Sequence, residues 1–248
     1  MTLKTTGKTK TTQEATPYDG LTVSEFATKL LSELADPVKA GPMAAYMKTK
    51  APFYGVQKPE RVEIFRQMIK IYKPNTHNEY IKAVDSLWIL PHREEKYAAI
   101  EYAMAYPEFI TLESLKTYEK MIRDGAWWDL VDGIAAHLVG GALKNNRETV
   151  RPILDRWINN KSMWLRRAAI ISQIRHKDLT DPNQLFKFCK VQAHEDDFFI
   201  RKAIGWALRE YSKTNPERVK EFILDNQGVL SSLSYREGSK HLKTLGIF

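Results

Sequence analysis

The chain has 248 residues, 43% hydrophobic and 27% charged, the make-up of an ordinary soluble globular protein long enough to bury a large core as one domain or two. Lys and Arg outnumber Asp and Glu by 38 to 30, and this basic excess points weakly to an anionic partner, nucleic acid first. A single cysteine, Cys189, excludes an intrachain disulfide, six scattered histidines show no metal-ligand spacing, and no apolar run approaches a membrane span.

Residues 1–20 hold seven threonines, three lysines and almost no large apolar group, and read as a mobile tail. They contain no apolar segment of secretory type, so a reducing, cytoplasmic setting is expected. From Thr22 onward, residues 21–248 read as one helical domain. Phe26, Leu30, Leu31 and Leu34 form a stripe, with Thr22 or Ser24 as cap, and Asp36-Pro37 stops that helix. Gly41-Pro42 opens a second helix, and Pro59 a third that runs to about Tyr72. Further helices are predicted near 77–88, 94–105, 111–122, 127–138, 146–158, 162–175, 182–192, 196–212, 216–224 and 231–242. No alternating apolar run argues for a strand.

About a dozen short helices with brief turns suggest helix pairs stacked in a row. A shift of about 35 residues lays Leu130 to Ile134 over Leu165 to Ala169, and again over Ile200 to Ile204. Asp132, Arg167 and Lys202 thereby share one position in three successive units, so a carboxylate and two cations are expected along one wall of the stack. Such a stack presents one extended concave face to a partner.

Three helices carry the candidate chemistry. In 127–138, Trp127, Leu130, Val131, Ile134 and Leu138 form the apolar stripe, while Trp128 and Asp132, four apart, share a flank outside it. In 162–175, Arg167 falls among Ile170, Ile171 and Ile174 and needs a partner, either a structural carboxylate or a bound phosphate. Arg166, on another flank, reads as solvated. In 196–212, Trp206 lies opposite the core stripe beside Lys202, Arg209 and Lys213, which suits either packing against a neighbouring repeat or contact with nucleic acid. Asp132 has three readings: a surface carboxylate, an ion-pair partner for Arg167, or a catalytic group. For Asp129, a favourable place near the helix start suffices.

The Trp127 to Asp132 block, the Trp164 to Ile170 block and the Ala203 to Tyr211 block together resemble the AlkD-type DNA alkylation-repair glycosylases. So do Met43 to Lys48 and Gly55 to Arg61, and the similarity covers roughly residues 42–242. The resemblance implies an all-α, right-handed α-solenoid of about six HEAT-like helical-pair repeats, C-shaped, with duplex DNA in its concave groove. It implies excision of N3-methyladenine, N7-methylguanine and bulkier cationic adducts by cleavage of the N-glycosidic bond, with the base left stacked. It makes Asp132 catalytic, sets Trp128 and Trp206 beside the sugar of the lesion, and puts Arg167 on the DNA backbone. Tyr46 and Gln57 match positions that help hold the duplex. No cofactor or metal and a monomeric protein are expected. The rival readings are a non-catalytic basic solenoid that binds nucleic acid and a protein scaffold.

Overall fold

A computed structural model describes residues 18–248. Short polar caps set several helix starts. Thr22 and Glu25 form a reciprocal capping box before α1 (Val23–Glu33), and the Asp36 carboxylate accepts the Val38 and Lys39 amides at α2 (Pro37–Met47). There follow α3 (Lys58–Ile71), α4 (His77–Trp88), α5 (Arg93–Met104), a 3-10 turn (Pro107–Phe109), α6 (Leu115–Gly125) and α7 (Trp128–Gly133). A π-helical stretch (Ile134–Val139) joins α7 without a break to α8 (Gly140–Asn145). The chain continues through α9 (Arg147–Trp157), α10 (Met163–Ile171), a 3-10 turn (Lys177–Leu179), α11 (Pro182–Val191), α12 (Phe198–Ser212), α13 (Pro216–Asp225), α14 (Ser232–Gly238) and α15 (Lys240–Thr244). There is no strand among the described residues, and no helix there is long and apolar enough to cross a membrane.

The helices stack as a solenoid. α1 meets α3 and α4, α5 meets α3, α4 and α7, α10 meets α6, α7, α9 and α12, and α12 meets α13, α14 and α15. Bonds between neighbouring units join residues about one repeat apart. Asn145 Nδ2 donates to the Ile110 carbonyl, Gln192 Nε2 to the Ile158 carbonyl and Ser234 Oγ to the Arg201 carbonyl, over 35, 34 and 33 residues. One continuous apolar core runs the length of the stack. In α10, Leu165, Ala168, Ala169, Ile170 and Ile171 are all buried, and each large aliphatic chain so placed stabilises the fold by about 1.5–3 kcal/mol.

Several predicted boundaries move. The helix expected to open at Gly41-Pro42 starts at Pro37, where proline needs no amide partner and Asp36 supplies the cap. The helix predicted over 111–122 starts only at Leu115, because Thr111 to Ser114 turn on themselves and Ser114 Oγ donates to the Phe109 carbonyl at 2.6 Å. The helix ended at 138 runs on to Asn145. Its Gly140 and Gly141 are sites of close approach: a Cβ on Gly140 would overlap the Ser172 carbonyl, and one on Gly141 would lie 2.9 Å from Ile110 Cγ2. The helix over 162–175 ends at Ile171, and that over 231–242 breaks at Ser239 into α14 and α15. Of the predicted tail, residues 1–17 lie outside the described residues. Tyr18 belongs to the folded part, its ring edge-on to Phe26 at 4.8 Å.

Candidate functional site

α7 is the centre of the candidate site. Trp127 caps it in extended backbone rather than joining its apolar stripe. The Trp127 indole N–H donates to the Met47 carbonyl at 2.7 Å, fixing the end of α2 to the start of α7. Its ring lies 5.9 Å from Trp164 and 5.4 Å from Phe199, so three aromatic rings from successive units meet at one edge. The expectation that Trp127 enters the core gives way to this half-buried junction. The wheel failed there because a residue in extended conformation does not continue the helical rotation.

Behind that edge, α7 carries two carboxylates, each gripped by an arginine from a different neighbour. Asp129 accepts from Arg93 Nε at 3.0 Å, from Arg93 Nη2 and from the Tyr97 hydroxyl at 2.5 Å, and this cluster is buried. Its position near the helix start is therefore secondary to a buried pair that sequence reasoning missed. Asp132 accepts from Arg167 Nε and Nη2, both at 2.7 Å, in a bidentate pair. Arg167 Nη1 donates to the Phe199 carbonyl at 2.5 Å. The two partners differ in exposure: the Arg167 side chain is 4% accessible, that of Asp132 19%. The arginine is sealed in and the carboxylate reaches the surface. Burial pushes the Asp132 carboxyl above the usual aspartate value, the Arg167 hydrogen bonds and charge oppose that, and Asp129 adds to it. Of the open readings for Arg167, the structural carboxylate partner is present. Arg166 is not merely solvated: it donates to the Asn160 and Lys161 carbonyls and to Gln192, and pairs with Glu195.

Trp128, half-buried at the first turn of α7, lines a cavity of about 620 Å³ between α2, α3, α5 and α7. Tyr46, 77% exposed, and Gln57, at the start of α3, line the same cavity, together with Arg61, Tyr97 and Asp129. Arg61 lies over the Tyr97 ring at 4.5 Å. Neither Asp132, one helical turn along α7 from Trp128, nor its partner Arg167 on α10 is among the lining residues. Trp206 is half-buried against the core on α12, and among the described residues no ring contact or hydrogen bond joins it to Trp128 or Asp132.

Lys202 and Arg209 converge on a residue the sequence reading did not single out. Glu237 of α14 is buried, and its Oε2 lies 3.0 Å from Lys202 Nζ and 2.7 Å from Arg209 Nη1, while Oε1 lies 2.6 Å from Lys240 Nζ. Burial alone would raise this carboxyl, but the lysine bonds outweigh it and hold Glu237 down at about 2. The signal was available, since one more 35-residue step along Asp132, Arg167 and Lys202 arrives at Glu237.

The sequence model of the DNA alkylation repair enzyme family matches residues 27–242. Among solved structures, a predicted DNA alkylation repair enzyme from Enterococcus faecalis is 32% identical, with a TM-score of 0.77, over 84% of this chain and 96% of its own. A protein from Streptococcus mutans UA159, 20% identical, shares the fold with a TM-score of 0.58 over 72% of this chain and 92% of its own. A search of the curated proteins finds no match. With a buried arginine presenting a mostly buried carboxylate that still reaches the surface of a basic helical solenoid, and with that match across nearly the whole described chain, the protein belongs to the DNA alkylation repair enzyme family.

Proposed function

We propose that this protein is a DNA glycosylase that removes positively charged alkylated purines, N3-methyladenine and N7-methylguanine among them, from duplex DNA held in its concave groove. The observation that carries this reading is the asymmetry of the Asp132–Arg167 pair: a rigid, buried guanidinium holds a carboxylate whose edge remains accessible. An N3- or N7-alkylated purine is already cationic and needs no general acid. When its C1′–N bond breaks, the electron pair leaves with the base and neutralises it, and the deoxyribose becomes an oxocarbenium-like cation. Asp132 stabilises that cation and accepts the proton of the water that attacks C1′. Glycoside hydrolysis uses two carboxylates because its leaving group must be protonated, and here one is enough. Indole faces attract cations, so Trp128 and Trp206 favour the charged sugar.

Arg167 serves this chemistry by fixing Asp132, since three of its N–H groups already have acceptors within the protein. Tyr46 and Gln57 border the cavity beside Trp128 and contact the duplex, and Lys202 and Arg209 contact phosphate. The chain acts as a monomer without cofactor or metal, in the cytoplasm. A lesion left in the stack is not pulled into a base-shaped pocket, which sets this mode apart from base flipping. The occupation of both Asp132 oxygens favours the rival reading of a structural pair on a DNA-binding scaffold. Incubation with duplexes holding either N7-methylguanine or uracil, followed by alkaline cleavage, tests the proposal. Methylguanine is released and uracil, a neutral base, is not. Equal release of the two contradicts the leaving-group argument, and release of neither leaves the scaffold.

A further inference from the structure

The charges along the 35-residue column are not evenly balanced. Asp132 and Arg167 form a one-to-one pair. One unit further along, Glu237 faces three cations, Lys202, Arg209 and Lys240, each within 3.0 Å of its carboxylate. One carboxylate cannot neutralise three cations, so the cluster keeps an excess of two positive charges. Nor does Glu237 use up their donors. Each lysine has three N–H groups and the arginine five, and the Glu237 contact takes one from each. The cations remain partly open to solvent, with side-chain exposures of 38%, 26% and 51%, whereas that of Glu237 is 5%.

The fold makes room for this arrangement. Gly205 lies inside the 15-residue helix α12, where glycine costs about 1 kcal/mol relative to alanine. A Cβ at Gly205 would overlap Glu237 Cβ and lie 3.1 Å from the Ser234 carbonyl. The missing side chain lets α14 press Glu237 between Lys202, one turn before Gly205, and Arg209, one turn after it. Trp206 lies between the same two cations in sequence and shares their face of α12.

We propose that Lys202, Arg209 and Lys240 form a single phosphate-binding site organised by Glu237, which takes one phosphodiester of the DNA backbone. Glu237 is a positioning residue: it holds three flexible cations in one place before the phosphate arrives, so less side-chain freedom is lost on binding. This inference rests on the DNA-binding part of the reading above and is independent of the glycosylase part.

The test is binding of the full chain to an unmodified, fluorescently labelled duplex across a series of salt concentrations. Lys240→Met removes an exposed cation, and it weakens binding and lowers the slope of log affinity against log salt by about one. Glu237→Gln is the sharper variant, because simple electrostatics and positioning predict opposite signs. Removing a negative charge from a DNA-binding face should tighten binding, whereas loss of the organising carboxylate should weaken it about tenfold and flatten the salt slope by about one. Thermal unfolding of each variant identifies a temperature at which it is folded, and binding is compared there. Tighter binding by Glu237→Gln, an unchanged slope for Lys240→Met, or a wild-type chain that does not bind duplex overturns the proposal. Failure of wild type to excise methylated bases while binding normally counts against the glycosylase reading alone.

Discussion

Replacing Asp132 with asparagine should cost stability and chemistry by separate amounts. The substitution removes the charge opposite Arg167, whose side chain is only 4% exposed. Asparagine offers one carbonyl oxygen to Nε or Nη2 and turns an NH2 group towards the other nitrogen, so one of the two 2.7 Å bonds is lost and a donor faces a donor. Breaking a buried ion pair from one side costs about 3–5 kcal/mol, and the surviving bond to the Phe199 carbonyl places this case near about 3. In a chain of this size each kcal/mol lowers Tm by about 2–4 °C, so a fall of about 6–12 °C is expected in a thermal melt. Removing a group that stabilises transition-state charge costs a further factor of about 100 to 1,000 in rate. Single-turnover release of N7-methylguanine, measured well below the melting temperature of the variant, reads that factor without interference from unfolding. A variant that melts early yet excises at close to the wild-type rate would refute the catalytic assignment and leave Asp132 as structural glue.

Two further outcomes follow from the same geometry. Burial raises the Asp132 carboxyl and Arg167 opposes the rise, so the acid limb of the pH–rate profile should lie above the usual aspartate range, and Arg167→Met should move it higher still. The sign is fixed: the reactive form is the carboxylate, activity is lost as pH falls through the raised value, and an acid limb that moves down in Arg167→Met contradicts the pairing as drawn. Gly140→Ala should destabilise by about 1–3 kcal/mol, because the added methyl meets the Ser172 backbone carbonyl, which cannot swing aside like a side chain. An unchanged urea midpoint would show that the contact relaxes freely.

Much of this site was legible along the chain because periodicity is a local property. The 3.6-residue stripe placed the helices, and the 35-residue shift put Asp132, Arg167 and Lys202 in register. Bonds between equivalent units confirm the register, with Asp132 meeting Arg167 over 35 residues. Local patterns misled where a residue answers to a distant neighbour. Trp127 fits the apolar stripe of α7, yet its indole is committed to the Met47 carbonyl, 80 residues away. The helix predicted to end at 138 runs on through Gly140 and Gly141, whose missing side chains admit Ser172 and Ile110 to its surface. Asp129 reads as a helix-start acid and is instead the partner of Arg93 and Tyr97.

The order of residues by itself determined the all-helical class, the repeat and the membership of the alkylation-repair family, because each rests on which side chains recur and at what spacing. Only the tertiary structure decided which charges neutralise one another. Coulombic partnership depends on separations of a few ångströms and on exclusion of water, and neither is written in spacing along the chain. That is why the stacking of α7 on α10 and of α12 on α14 had to be seen before Arg167 became the anchor of Asp132, and before Glu237 emerged as the hub of three cations.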